Sequence, residues 1–280
     1  MGDVGTCRVP LPVLAAFWLL VSLPGSAQIK KEVRFRVGEK SVISIINNYG
    51  PITVKPSGSN EVVVTTVSYS NEVDFVNEQH GNRIELRAES KRPGDGLAEY
   101  TVLVPDTSSV TLQSLNGALY AQGLRGDAML EGSTSIAEVS DAIGAHIHVK
   151  TLSGPASLKN IRHSRLYVNS VTGSVDVHNV TESLIEAHSG SGRITYEGDP
   201  GNSGEYKLTS NTGDLDVSIP ADALVQINAH PLVDGADQLA RSDTTKGTGN
   251  GNRFVKPNAT RSGSRFVLRS FRGKIHLKRP

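Results

Sequence analysis

The 280 residues carry 29 Lys and Arg against 28 Asp and Glu, a formal net charge of +1, so no strong field for nucleic acid is present. Aromatic residues make up only 5% while glycines number 28, which suits a narrow core with many turns rather than a bulky globular one. The one cysteine, Cys7, lies in the leader described next, so the remaining chain has no disulfide, no thiolate nucleophile and no Cys-based metal site.

The N-terminus reads as a signal peptide, residues 1–27. Arg8 precedes an apolar run, Leu11 to Leu23, followed by Pro24-Gly25-Ser26-Ala27. Gly25 and Ala27 are small residues at the spacing signal peptidase accepts, which places cleavage after Ala27. The run is shorter than the ~20 residues of a membrane span, so no transmembrane span is expected after cleavage; an uncleaved anchor is the alternative. The roughly 250 residues that remain can bury a substantial core.

Residues 28–110 show a loose β pattern: Val42, Ile43, Ile45 and Ile46, then Ile52 and Val54 after Gly50, then Val62, Val64 and Val67, then Ile84 and Leu86, then Tyr100, Val102 and Val104. Turns fall at Lys55-Pro56-Ser57-Gly58, His80-Gly81-Asn82 and Arg92-Pro93-Gly94-Asp95-Gly96. These segments predict wide, irregular coils with antiparallel edge strands, capping whatever follows.

Residues 111–230 repeat. Small anchor residues recur at Gly117, Ser135, Gly154, Gly173, Gly192 and Gly213, in steps of 18, 19, 19, 19 and 21. Two places on stand Leu119, Ala137, Ala156, Val175, Ile194 and Leu215; four places on, Ala121, Val139, Leu158, Val177, Tyr196 and Val217. The residue between is mostly polar, which is the alternation of a half-buried strand. Six places on, Gly123, Asp141, Asn160, Asn179 and Gly198 tolerate left-handed backbone. In three units a second alternating strand follows, at Ile147 and Val149, Leu166 and Val168, and Ile185 and Ala187. A unit of this size cannot bury its own apolar face, so copies must stack, parallel and about 4.8 Å apart. The expected fold is all-β, a single-domain parallel β-solenoid with ~19-residue coils. A β-sandwich with accidental regularity is the alternative.

Beyond Pro220, Leu224 to Ile227 offer one more strand, and residues 234–263 form a Gly- and Asn-rich flexible loop. Gly273, Ile275 and Leu277 repeat the anchor spacing, so residues 264–280 are expected to form the final coil.

The strings Leu115-Asn116-Gly117-Ala118-Leu119, Val171-Thr172-Gly173-Ser174-Val175-Asp176-Val177 and Asn211-Thr212-Gly213-Asp214-Leu215-Asp216-Val217 resemble the bacterial "putative adhesin" family, exported β-solenoid domains of unknown function. Leu268 to Ile275 is similar to its last coil, and the resemblance runs from about Ile43 to Leu277. It implies a fold and brings no catalytic or binding residues with it.

The chemistry-bearing residues assemble no site: no catalytic, cofactor-binding or metal-binding residue is assigned. His146, His148, His163, His178 and His188 fall at different positions of the repeat, whereas a metal needs ligands that converge. Asp214 and Asp216 share an outward face, with Asp176 read as one coil earlier in the same column; paired carboxylates are what glycosidases use, but a solenoid supplies such pairs anywhere. Gly190-Ser191-Gly192 lacks the flanks of a nucleophile elbow, and Gly247, Gly249 and Gly251 open no helix, so they form no phosphate loop. Arg261, Arg265, Arg269, Arg272, Lys274, Lys278 and Arg279 make the C-terminus basic, either to contact anionic envelope polymers or lipid head groups or to keep an exposed sheet edge from pairing.

The sequence therefore predicts an exported, non-enzymatic scaffold of the periplasm, cell surface or medium. It needs no cofactor and binds cell-envelope polymers, glycans or an envelope protein by outward strand faces. The runner-up is an envelope-stress or assembly accessory protein pairing through a solenoid edge such as Lys274–Lys278, and third a polysaccharide-active enzyme.

Overall fold

The computed structural model describes residues 28–92, 96–231, 239–240 and 263–279. The expected signal peptide lies outside them, as does the expected loop 234–263 except for Leu239, Ala240 and Gly263.

Every regular element among the described residues is a strand, and the strands form two sheets of 12 and 11. Each regular coil gives one strand to each sheet. The first sheet stacks Leu119–Gln122, Ala137–Ser140, Ala156–Arg162, Val175–Thr181, Ile194–Glu197 and Leu215–Ser218, all parallel. The second stacks Ser109–Ser114, Ala128–Gly132, His146–Thr151, Arg165–Ser170, Leu184–Ser189 and Glu205–Ser210, again parallel. The solenoid is therefore the fold, and the second strand recurs in every regular coil rather than in three. Register carries the repeat exactly as its period requires: Val139 pairs with Leu158, and Leu158 with Val177.

Inward residues of both sheets merge into one cluster running from Val37 to Ile275. Small residues (Ala137, Ala145, Ala156, Ala187) belong to the core of the middle coils. Near the C-terminal end the core holds three fully buried rings. Tyr206 and Phe266 stack with centroids 4.5 Å apart, and Tyr196 meets both edge-on at 5.0 and 5.1 Å. Both hydroxyls find acceptors: Tyr196 donates to the Val180 carbonyl at 2.9 Å, Tyr206 to that of Pro200 at 2.8 Å. Burial pushes both phenols up, Tyr206 to about 12.

The corner before each first-sheet strand explains the anchor. A Cβ built on Gly154 would meet the Ser135 carbonyl oxygen at 1.8 Å; on Gly173, that of Gly154; on Gly192, that of Gly173. Backbones of successive coils touch at these glycines, and a side chain there would have no room. Three residues earlier sits a buried hydroxyl, at Ser114, Thr151, Ser170, Ser189, Ser210 and Ser270. Ser189 Oγ accepts from Gly192 N–H at 2.8 Å, and Ser210 Oγ from Gly213 N–H at 2.9 Å. One coil inverts the pair, with Gly132 in the hydroxyl column and Ser135 at the anchor; a Cβ on Gly132 would lie 2.7 Å from that of Ser135.

The opposite corner is left-handed, as the residue types predict: Gly123, Asp141, Asn160, Asn179 and Gly198 all have positive φ. A second such column, three residues on, holds Gly144, His163, Glu182 and Gly201.

Both ends of the stack depart from chain order. The coil of Val42–Asn47 and Ile52–Ser57 packs against Ser109–Ser114 and Leu119–Gln122, and the later strands Arg83–Ser90 and Ala98–Pro105 cover its other side. Antiparallel strands close this end, with Ile29–Arg36 on Glu61–Ser68 and Val73–His80 on Arg83–Ser90. At the other end Ser264–Ser270 inserts between Glu205–Ser210 and Val225–Pro231, and Ile275–Lys278 between Leu215–Ser218 and Leu239–Ala240. The last coil in sequence is thus interior in space, not terminal as expected.

Candidate binding faces

With the core filled by apolar side chains, the strands among the described residues present most of their polar side chains in outward columns. Stacking aligns equivalent residues of successive coils, so each column is a straight row with a step of about 4.8 Å.

These five histidines fall in separate rows, and three of them pair with an adjacent coil: His146 with Asp127 at 3.5 Å, His163 with Glu182 at 3.4 Å, His178 with Glu197 at 3.5 Å. His148 packs on the Tyr167 ring, centroids 6.2 Å apart. Among the described residues no three His, Cys, Asp or Glu side chains are grouped as metal ligands would be. His163 is not a strand residue at all but sits in the left-handed corner at φ 51°.

The aspartates give a correction. Asp176 pairs with Thr195, and Thr195 with Asp216, so Asp176 and Asp216 are two coils apart, not one. Asp214 and Asp216 both face the Arg193 guanidinium, at 3.6 and 3.2 Å, and Asp214 Oδ1 also accepts the Lys274 N–H at 2.8 Å. One cation and one backbone donor hold this pair as a corner clamp. Gly190, Ser191 and Gly192 form the corner turn itself, and Gly247, Gly249 and Gly251 lie outside the described residues.

The basic C-terminus divides among faces. Arg265 and Arg269 project from the second sheet, Arg272 and Lys274 lie at the anchor corner, and Lys278 belongs to the first sheet; Arg261 lies outside the described residues. Ser264–Ser270 is paired on both sides, so protection of a sheet edge does not account for Arg265 and Arg269, whereas Ile275–Lys278 is covered on its outer side only at Ile275 and His276 among the described residues. The edge at the other end, Ile29–Arg36, carries Lys30, Lys31, Glu32, Arg34 and Arg36, which disfavours pairing with another chain.

Two half-open depressions mark the outer surface. One, of about 210 Å³, lies on the first sheet among Thr53, Lys55, Tyr120, Gln122, Glu138 and Ser140. The larger, of about 560 Å³, lies on the second sheet and is lined by Glu186, His188, Lys207, Thr209, His230, Arg269 and Phe271. Sequence reasoning missed this grouping, because nothing local shows that Val225–Pro231 and Ser264–Ser270 are neighbours.

A family model described as Toastrack DUF4097 matches residues 41–252. No curated protein matches the chain. Among solved structures, one from Bacteroides fragilis NCTC 9343 described as a "putative adhesin" aligns with a TM-score of 0.50 at 12% identity, covering 92% of this chain and 99% of that one. A "putative lipid binding protein" from Parabacteroides distasonis ATCC 8503 aligns at 0.40 and 9% identity, covering 89% and 96%. A "putative cell adhesion protein" from Clostridium sporogenes ATCC 15579 aligns at 0.29 and 12% identity, covering 90% and 100%.

Proposed function

The chain belongs to the Toastrack DUF4097 family, and from that premise we propose that it is an exported, non-enzymatic, adhesin-like scaffold that holds polymers or partner proteins against its outward strand faces. At 12% identity the likeness to the Bacteroides fragilis structure speaks to fold, so the reading rests on this chain's own surface.

The observation that supports it most is the contrast between inside and outside. Inward positions from Ile43 to Ile275 are apolar and almost wholly buried, leaving the interior to packing. Outward positions repeat at a fixed step on two long sheets, a geometry suited to many modest contacts with an extended partner rather than one enclosed pocket. The acidic pair best suited to hydrolysis is engaged by Arg193.

Two measurements test this. Fractionation of the tagged full chain is expected to find it outside the cytoplasm, with Gln28 as its first residue. The purified protein is expected to bind members of a glycan array without cleaving them. Cytoplasmic retention, or turnover abolished by Asp214→Asn, would overturn the reading.

A further inference from the structure

We infer that the second-sheet groove at the C-terminal end of the stack binds a carboxylate-bearing polysaccharide. This rests on the scaffold reading above and narrows it to one surface and one chemistry.

Register builds the site. His188 pairs with Thr209, Thr209 with Arg269, and Arg269 with His230, so four strands contribute one polar side chain each to a single row. The neighbouring row runs Glu186, Lys207, Val267, Asn228. Lys207 is neutralised by its contact with Glu186, whereas Arg269 is exposed and has no ion pair among the described residues. Arg269 sits on an interior strand, so its charge does not protect an edge. Two residues on along the chain, Phe271 leaves 48% of its surface exposed beside the row. It stacks in register above Asn211 and Gly190, small neighbours that leave its ring uncovered.

The side chains select the ligand. A guanidinium presents a fork that matches a carboxylate in two parallel hydrogen bonds. Thr209 and the two imidazoles supply further donors and acceptors in line with it. An exposed aromatic face covers the apolar C–H side of a pyranose ring. The step of the row, about 4.8 Å, is close to the length of one sugar residue in an extended glycan, so successive coils can meet successive residues. Competing polyanions fit less well. Nucleic acid calls for many phosphate contacts, and the chain's net charge is +1. Anionic lipid surfaces are held by clusters of roughly 4–8 Lys and Arg, and this row has one.

The test measures binding of the purified full chain to polygalacturonate, to dextran, and to vesicles of phosphatidylglycerol. Polygalacturonate is expected to bind, more weakly as salt is added. Arg269→Ala is expected to lower that affinity roughly tenfold or more, the worth of a charge-assisted hydrogen bond. Phe271→Ala is expected to weaken it as well, while Lys278→Ala, on the other sheet, leaves it unchanged. All three positions are exposed, and circular dichroism checks that each variant is folded. Equal binding to dextran, preference for vesicles, or full affinity in folded Arg269→Ala overturns the assignment. If polygalacturonate binding is instead abolished by Tyr120→Ala on the first sheet, this site is wrong and the scaffold reading survives. If the wild-type chain binds no glycan of the array either, both fail.

Discussion

A Cβ added to Gly173 would stand 2.0 Å from the carbonyl oxygen of Gly154, one coil below. The obstructing atom belongs to the backbone, so it cannot swing aside as a side chain would. Gly173→Ala must therefore separate two coils locally. The expected cost is about 3 kcal/mol, the upper part of the overpacking range. It would be read as a lower urea midpoint, against a near-neutral control at the open turn Gly58, where nothing lies within 4 Å.

The inverted corner offers a sharper test. Ser135 occupies the anchor position and accepts the Gly117 N–H at 3.3 Å, while Gly132 occupies the hydroxyl column and leaves the buried Ser114 Oγ without a partner. Gly132→Ser alone drives a side chain into Ser135 and is expected to cost about 2 kcal/mol. Adding Ser135→Gly restores the arrangement of the other coils and is expected to recover most of that loss. The coupling between the two substitutions, measured by a double-mutant cycle, should reach about 1–3 kcal/mol.

His163 and Glu182 hold left-handed backbone, at φ 51° and 49°, in a column whose other members are Gly144 and Gly201. His163→Gly removes the conformational penalty but frees the unfolded chain, so it should change stability by less than about 1 kcal/mol. His163→Val places a β-branched residue in the same conformation and is expected to cost about 1–2 kcal/mol. Thermal midpoints of the two variants, compared with wild type, decide this; equal effects would remove backbone strain as the cause.

These corners show what a sequence reveals and what it conceals. The inward alternation of Val139, Leu158 and Val177 was legible because strand geometry forces period two on any half-buried strand. The Asp141, Asn160 and Asn179 corner was legible because few residue types accept left-handed backbone. The serine column was hidden, since serine is as common in solvated turns as in this buried one. His163 was hidden because histidine belongs to neither class of turn former. The groove at Arg269 and His230 was hidden for a different reason: it depends on which strands are neighbours, and strand order at the ends of the stack is not written in any local pattern.

The buried tyrosines predict alkaline lability. Tyr206 ionises near 12 in the folded protein, because burial disfavours the phenolate, and near 10 when unfolded. Its contribution is complete below about pH 10 and falls as pH rises from there through 12, by about 1.4 kcal/mol per unit for each such group. Tyr206→Phe loses the hydrogen bond to Pro200 and should be less stable at pH 7 by about 1 kcal/mol. Its stability should nonetheless decline less steeply than wild type between pH 10 and 12. Parallel slopes in urea titrations over that range would refute the account.

The slot that receives residues 264–278 lies between strands made earlier, on one side by residues 205–218 and on the other by residues 225–240. The chain is made from its N-terminus onward, so residues 225–240 exist before the layer that must lie beneath them. Assembly of this end cannot be a simple zipper running from the first coil to the last. It must stay open until Lys278 has been made, and residues 264–278 then bridge the two layers on either side of them.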